Sequence, residues 1–298
     1  MTAHYSLAPD RGVLRIAGPD ARSFLQGIVT ADVERASEAR AIWSAFLTPQ
    51  GKYLHDFFLL ERGEALLLEM AAERREDLAR RLKPYKLRAK VEIVPADDDW
   101  VVALLWGDEV ATRLGLPTEA GAAGPLGGGL AFFDPRLPEA GARALLPGGE
   151  AEAILAEAGF QEAPRADWEE QRIALGLPDG GRDMEVEKAI LLENGFDELG
   201  GVDWRKGCFL GQELTARTKY RGLVKKRLLP LRFEGPAPEA GAPVIREGKT
   251  VGDIRSVGQN HALALLRLEA LDGPLQSGDT ALTPAHPAWL RLQAEEKA

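Results

Sequence analysis

Short apolar runs alternate with charged, periodic segments along most of the chain, and their periods sort them into strands and helices. Residues 13–17 alternate as a short strand, and Gly18-Pro19-Asp20 then opens a helix that Gly27 closes. A strand over 41–47 ends at the turn Thr48-Pro49-Gln50-Gly51. Residues 53–60 read as a longer strand, apolar on both faces and therefore buried on both sides.

Strands are also predicted over 66–70, 89–94, 101–106 and 130–133, with helices over 73–82 and 109–114 between them. That order, β-α-β-β-α-β, predicts a ferredoxin-like unit. The glycine-rich stretch 121–129 reads as a mobile loop within it. It does not sit between a strand and a helix at phosphate-cradling spacing and is given no phosphate-binding role. Helices are expected over 150–158, 167–175 and 211–218, with a loop-like stretch over 177–201. After Lys225 short apolar runs (228–233, 251–254, 263–268) alternate with Gly/Pro turns, the pattern of a small antiparallel barrel.

A chain of 298 residues is long enough for two or three compact units. No run of 18 apolar residues occurs, so no membrane association is expected. The first residues lack an apolar core behind a basic start, so no secretion signal is expected either. The single cysteine excludes an internal disulfide. It also excludes a self-contained iron–sulfur or structural zinc site, which needs about four protein ligands, so no resident metal is expected. These features together predict a reducing cytoplasm.

The formal charge of −9 argues against bulk nucleic-acid binding. One region departs from it. Residues 205–227 hold eight basic side chains (Arg205, Lys206, Arg217, Lys219, Arg221, Lys225, Lys226, Arg227) against one acid, Glu213. Such a stretch is either a solvated face or an attractor for an anionic ligand or a phosphate backbone.

The cysteine lies inside this stretch, in Lys206-Gly207-Cys208-Phe209-Leu210-Gly211-Gln212-Glu213. Flanking glycines allow a tight backbone path. A helix beginning near Gly211 would place Cys208 just before its N-terminus, where free N–H groups and the helix dipole favour a thiolate. Arg205 and Lys206 act in the same sense. The alternative is a buried cysteine serving as a small hydrophobe; charged and glycine neighbours favour the reactive thiol.

Two carboxylates stand among apolar residues. In the strand 53–60, alternation puts His55 with Tyr53, Phe57 and Leu59, and Asp56 with Leu54, Phe58 and Leu60. An acid on an apolar face must find a partner or shift its pKa. Either a backbone N–H or an arginine satisfies Asp56, or it is a functional carboxylate that binds or protonates a nitrogen heterocycle. Glu193, after two leucines, is unremarkable by itself.

The cysteine segment resembles the KGC[YF]xGQE signature of the folate-binding YgfZ family, relatives of the glycine-cleavage T-protein (aminomethyltransferase). Further blocks are similar to it over nearly the whole chain: Gly18-Pro19-Asp20-Ala21, Phe24-Leu25-Gln26-Gly27, Thr30-Ala31-Asp32-Val33, Leu47-Thr48-Pro49-Gln50-Gly51 followed by Asp56, Arg172 to Pro178, and Leu199 to Asp203. Residues 248–257 resemble the family's closing barrel. Two departures from the T-protein are His55, where it usually has a second acid, and the cysteine motif, which it lacks. Phe209 replaces the commoner tyrosine of the signature.

The resemblance implies an α+β, T-protein-like three-part ring around a channel for tetrahydrofolate or a one-carbon derivative. Its parts would be residues 1–60 with 147–226 as a folate-binding domain, residues 61–146 as the ferredoxin-like unit, and residues 227–298 as the barrel. It implies folate contacts from Asp56 and Glu193, with Gln212, Arg217 and Arg221 as further candidates and Cys208 with Lys206 as the reactive pair. The function expected is accessory: assembly or repair of iron–sulfur clusters, in a monomer working with iron–sulfur assembly proteins or client enzymes. The alternatives are folate-dependent aminomethyl transfer of the T-protein type and a role in tRNA modification, direct or through iron–sulfur enzymes.

Overall fold

The computed structural model describes residues 2–96, 100–271 and 273–291. The chain begins β1 (His4–Leu7), β2 (Arg11–Ala17), α1 (Ala21–Gln26), β3 (Ile42–Leu47), β4 (Tyr53–Arg62), β5 (Ala65–Ala71) and α2 (Arg75–Lys86). It continues with β6 (Glu92–Pro95), β7 (Val101–Trp106), α3 (Val110–Leu114), β8 (Ala123–Leu126), β9 (Gly129–Phe133), β10 (Ala142–Leu146), α4 (Ala151–Glu157) and β11 (Gln161–Glu162). Then come α5 (Arg165–Ala174), α6 (Gly180–Asp183) and α7 (Gln212–Tyr220). The last six strands are β12 (Lys226–Phe233), β13 (Pro243–Arg246), β14 (Lys249–Val257), β15 (His261–Arg267), β16 (Leu275–Ser277) and β17 (Thr280–Pro284).

Among the described residues these strands form three sheets: a five-stranded one ordered β3-β4-β5-β2-β6, a six-stranded one ordered β11-β1-β7-β10-β9-β8, and a closed antiparallel barrel, β12-β15-β14-β13-β16-β17. The two open sheets face each other. Trp43, Tyr53, Phe58 and Leu60 from one pack with Val102, Leu104, Phe132 and Leu145 from the other in a single buried cluster. Helices α1 and α2 cover the outer face of the five-stranded sheet through Phe24, Leu25, Leu78 and Leu82. Helices α3 and α4 cover the outer face of the six-stranded sheet through Val110 and Leu155. The layers therefore run helix, sheet, sheet, helix, with the barrel beside them.

The barrel agrees with the turn-punctuated pattern expected near Arg227. The ferredoxin-like unit does not form. The strands expected to make it are divided: β5 and β6 pair with β2 in one sheet, whereas β7 and β9 lie in the other, β7 against β1 and both against β10, a strand not expected from the sequence. Local periodicity identified β5, β6, β7 and β9 but neither β1 and β10 nor the pairing, because β1 reaches β7 across almost a hundred residues (Tyr5 opposite Leu105). Nor is 121–129 a free loop, since β8 pairs with β9 as a hairpin, Ala123 opposite Phe132.

A smaller difference decides the site. Opposite β3 the register slips so that Phe46 faces His55 but Leu47 faces Tyr53, which leaves Leu54 as an extra residue. Such a bulge breaks the two-residue alternation. Tyr53 therefore joins Asp56 on the face between the sheets, while Leu54 packs in the cluster under α1 and α2. The sequence pattern had placed Leu54, not Tyr53, beside Asp56.

Candidate functional site

Asp56 lies between the sheets with one donor on each carboxylate oxygen: Trp43 Nε1 donates to Oδ2 at 3.1 Å and the Tyr53 hydroxyl to Oδ1 at 2.8 Å. Burial pushes its pKa up; Arg11 and the two donors oppose the shift and nearby Asp179 adds to it. Both outcomes expected for an acid on an apolar face are present, partners and a shifted pKa. Gly180 closes over the carboxyl, and a Cβ there would overlap Asp56 Oδ1.

Two recesses flank this carboxyl and share Arg11, Asp56 and Asp179 in their walls. One encloses ≈ 290 Å³ of empty space, its open mouth included, between Phe58, Arg136, Arg143 and Trp168. The other, ≈ 200 Å³ on the same measure, lies between Tyr53, His55, Arg74 and Gly180. Five arginines line the first: Arg11, Arg136, Arg143, Arg165 and Arg172. Arg11 pairs with Glu69 and, at 3.3 Å, with Asp179. Arg143 pairs with Glu69 at 3.2 Å, and Arg136 with Asp134 at 2.7 Å. Glu69 has no exposure at all, yet accepts from two arginines on different strands. The Arg143 group lies over the Phe58 ring at 4.2 Å. Burial lowers its pKa to about 10; Arg11 and Arg136 push in the same direction, while Glu69 and Asp134 push against it. Asp179 is driven far below the usual carboxylate range by Arg11, Arg172, Arg182 and Arg143, despite a desolvation cost that alone would raise it.

In the second recess His55 Nε2 sits 2.9 Å from Asp77 Oδ2, which fixes Nε2–H as the donor and leaves Nδ1 as an acceptor. That Nδ1 has no partner, and neither has Arg74 Nε. Burial and the Arg74 charge hold the His55 pKa down to about 4.

Cys208 is exposed on a loop running into α7, which excludes the small-hydrophobe reading. Its glycines work as expected. Gly207 and Gly211 take positive φ (97° and 80°). At Gly211 a Cβ would stand 2.6 Å from Thr48 O and 2.9 Å from Gly51 Cα. The cysteine loop thus ends in backbone contact with the Thr48–Gly51 turn, two blocks distant in sequence. Gln212 ties the loop to itself, donating to Gly207 O at 3.2 Å. Lys206 donates to Val29 O and Ala31 O, both at 2.6 Å, and anchors the loop to the segment after α1. Burial lowers this ammonium to about 8, while Asp32 and Asp203 act to raise it.

The sequence-predicted residues are therefore not all gathered in one place. Neither recess is lined by Glu193, Lys206, Cys208, Gln212, Arg217 or Arg221. Glu193 is half-buried, and burial raises its pKa against the opposing charges of Lys226, Lys52 and Arg227. Arg217 is exposed and pairs with Glu213 at 3.2 Å, and Arg221 is exposed at the end of α7. The basic stretch is not one face. Lys206 turns inward, Lys219 pairs with Asp197 at 2.8 Å, and Arg227 pairs with Glu198 at 2.6 Å. Sequence reasoning missed Arg11, Glu69, Arg136 and Arg143. A signal existed for two of them: Arg143 interrupts the apolar strand Ala-Arg-Ala-Leu-Leu, and Glu69 the strand Leu-Leu-Leu-Glu-Met.

Comparison with known proteins agrees with this architecture. The profile of the CAF17 C-terminal β-barrel domain matches residues 225–292. The mitochondrial iron–sulfur cluster assembly factor IBA57 of Homo sapiens is 35% identical, covering 94% of this chain and 83% of its own. The homologue from Pyricularia oryzae is 32% identical over 94% of this chain and 76% of its own. The chain belongs to the IBA57/CAF17/YgfZ family. The fold is that of the T-protein: glycine cleavage aminomethyltransferase T from Bartonella henselae superposes with a TM-score of 0.78 at 16% identity, covering 97% of this chain and 86% of the other. Membership of the IBA57/CAF17/YgfZ family corrects the expected cytoplasmic compartment, because these relatives are mitochondrial proteins. A lone reduced cysteine suits either compartment and could not distinguish them. Among the described residues no helix is long and apolar enough to cross a membrane.

Proposed function

We propose that this chain serves the assembly or repair of iron–sulfur clusters, with the Cys208 thiol as its working group and a reduced folate held at Asp56. The observation that carries the reading is the exposed Cys208 on a loop pinned by Lys206 and Gln212. A thiol so presented is open to a partner while its backbone is fixed. One thiolate cannot hold a cluster alone, so the cluster is cargo and its remaining ligands come from an assembly protein or a client enzyme. Replacing Cys208 by Ala is expected to abolish rescue of iron–sulfur enzyme activities in a deletion strain, with the protein still folded. Full rescue overturns the proposal.

The folate part is supported by the smaller recess. His55 and Arg74 line it beside Asp56, and their Nδ1 and Nε are buried without a partner, an acceptor and a donor of the kind the edges of a reduced pterin require. Each Asp56 oxygen also keeps lone-pair capacity beyond its single donor. A bound folate would supply a one-carbon carrier; the protein's own residues would bind and orient it, and the Asp56 carboxyl can hold a proton there. Tetrahydrofolate is expected to bind the wild-type chain and to bind at least tenfold more weakly to Asp56→Asn. Equal affinity removes the folate from this recess, and the same titration of Glu193→Gln tests the more distant acid.

A one-carbon transferase is the second reading, favoured by the raised pKa of a buried Asp56, which suits proton transfer. Aminomethyl turnover that survives Cys208→Ala but is lost in Asp56→Asn would replace the first reading with this one. With several of its basic residues paired inward, we propose no direct tRNA contact; any dependence of tRNA modification then runs through iron–sulfur enzymes.

A further inference from the structure

Residues 78–91 hold six basic side chains and no acid, on a chain whose formal charge is −9. Arg80 and Arg81 are held by Asp77, and Arg81 also by Glu187 at 3.1 Å. The other four, Lys83, Lys86, Arg88 and Lys90, have no ion-pair partner among the described residues. Lys83, Arg88 and Lys90 are exposed and Lys86 is half-buried. Asp20 meets Lys90 through the backbone N–H, at 2.7 Å, and not through an ion pair.

At the end of α2, Lys86 O accepts from Ala89 N at 2.8 Å and closes a turn with Leu87 at its first central position. Leu87 takes φ 44° and ψ −108° there, the geometry of a type II′ turn, in which that position is a glycine site. A leucine in this backbone is strained. Packing does not offset the strain: the side chain is 89% exposed, the most exposed large apolar one among the described residues. Its neighbours face inward. Ala89 packs against the cluster that holds Leu82, and Tyr85 sits edge-on to Phe46 with ring centroids 6.0 Å apart. The turn is an anchored, convex tip that carries one apolar side chain among unpaired cations.

We propose that this tip binds the surface of an anionic lipid bilayer. Leu87 enters the boundary between headgroups and acyl chains, and Lys83, Lys86, Arg88 and Lys90 lie among the lipid phosphates. A single apolar anchor is marginal alone, and a polybasic patch beside it supplies the second signal. The long stems of lysine and arginine keep the charges at headgroup level while the turn sinks below them. The net charge of −9 repels the rest of the chain from such a surface, so the patch also sets the orientation. Shape decides against other polyanions. An RNA backbone is met by cations and stacked aromatics, which leaves Leu87 without a contact, and Tyr85 is turned onto Phe46. An acidic protein would have to offer a socket for the leucine; a fluid bilayer accepts a convex apolar tip without one. Surface binding of this kind needs no spanning helix. It is also independent of the cluster and folate readings, because neither Cys208 nor Asp56 lies in the segment.

The test sediments the full chain with vesicles of phosphatidylcholine alone, and of equal parts phosphatidylcholine and phosphatidylglycerol. Binding to the mixed vesicles only is expected, weakening as salt is added. The combined variant Lys83→Gln, Arg88→Gln and Lys90→Gln is expected to bind at least tenfold more weakly. Leu87→Gly relieves the backbone and keeps every charge; it is expected to fold at least as stably and to bind at least threefold more weakly. No binding to mixed vesicles, or equal binding by wild type and both variants, overturns the proposal. So does tighter binding of a soluble polyanion (an RNA hairpin or polyglutamate) that Leu87→Gly leaves unchanged. Should the combined variant fail to fold, acetylation of Lys83 and Lys90 in the wild type is followed by mass spectrometry. Slower acetylation with mixed vesicles than with phosphatidylcholine is expected; equal rates overturn the site.

Discussion

Around Asp56 the charged side chains Arg11, Glu69, Asp134, Arg136 and Arg143 are packed between two sheets, whereas around Cys208 the chain is exposed and two side-chain ties hold it in place. The difference is one of reorganisation. Buried ions cannot move apart without losing partners they cannot replace from water, so the recess keeps its shape whether or not anything binds there. An exposed loop has few such constraints, and its shape depends on glycine geometry and a few hydrogen bonds. The proposed function, a small molecule held in the recess and a thiol offered to a partner, would use both designs.

The comparison breaks most visibly at Glu69. Glu69→Ala deprives Arg143 of its hydrogen-bonded carboxylate and Arg11 of one of two. A loss of about 3–5 kcal/mol in unfolding free energy is expected in urea titration. A loss below about 1 kcal/mol would show that the recess is hydrated and adaptable, contrary to the contrast drawn with the loop.

Next is the pH dependence at His55. The fold holds its imidazole neutral down to about 4, while the unfolded chain takes up a proton near the ordinary 6.5. The unfolded state therefore binds more protons between these values, and stability falls as pH drops from 6.5 towards 4. The expected loss is on the order of 3 kcal/mol from a shift of this size. It is read as the difference between wild type and His55→Gln, because neighbouring carboxylates titrate in the same window. Parallel curves for the two proteins would remove His55 from the pH response.

Lys206 sharpens the other half. Lys206→Met removes both hydrogen bonds to Val29 and Ala31. A stability loss of about 1 kcal/mol is expected, together with faster amide hydrogen exchange confined to residues 205–211. Exchange unchanged in that segment would mean the glycine contacts alone hold the loop. The smallest effect belongs to Cys208→Ser, expected to change stability by less than about 0.5 kcal/mol. Stability as sensitive to this change as to Glu69→Ala would erase the distinction between the two regions.

The local pattern predicted most of the strands and helices here, because burial on one face or both leaves a period in the sequence. Apolar neighbours marked Asp56 as an acid needing partners, and two glycines marked the cysteine loop as a tight path. The same reasoning, applied to Arg143 and Glu69 in their apolar strands, would have flagged the other half of the recess. The cytoplasmic expectation failed because cysteine usage reports a redox state and not an organelle.

The sequence by itself determined most of the elements, the barrel, the glycine-flanked thiol and the misplaced carboxylate, all of which depend on residues close together in the chain. Tertiary structure decided which strands share a sheet, since hydrogen-bonding partners such as Tyr5 and Leu105 carry no mark of each other. It also decided, through the single bulge at Leu54, that Tyr53 and not Leu54 meets Asp56. Finally, it brought Arg11, Glu69 and Arg143 from three separate strands to one point, where burial turns ordinary surface ions into a fixed site.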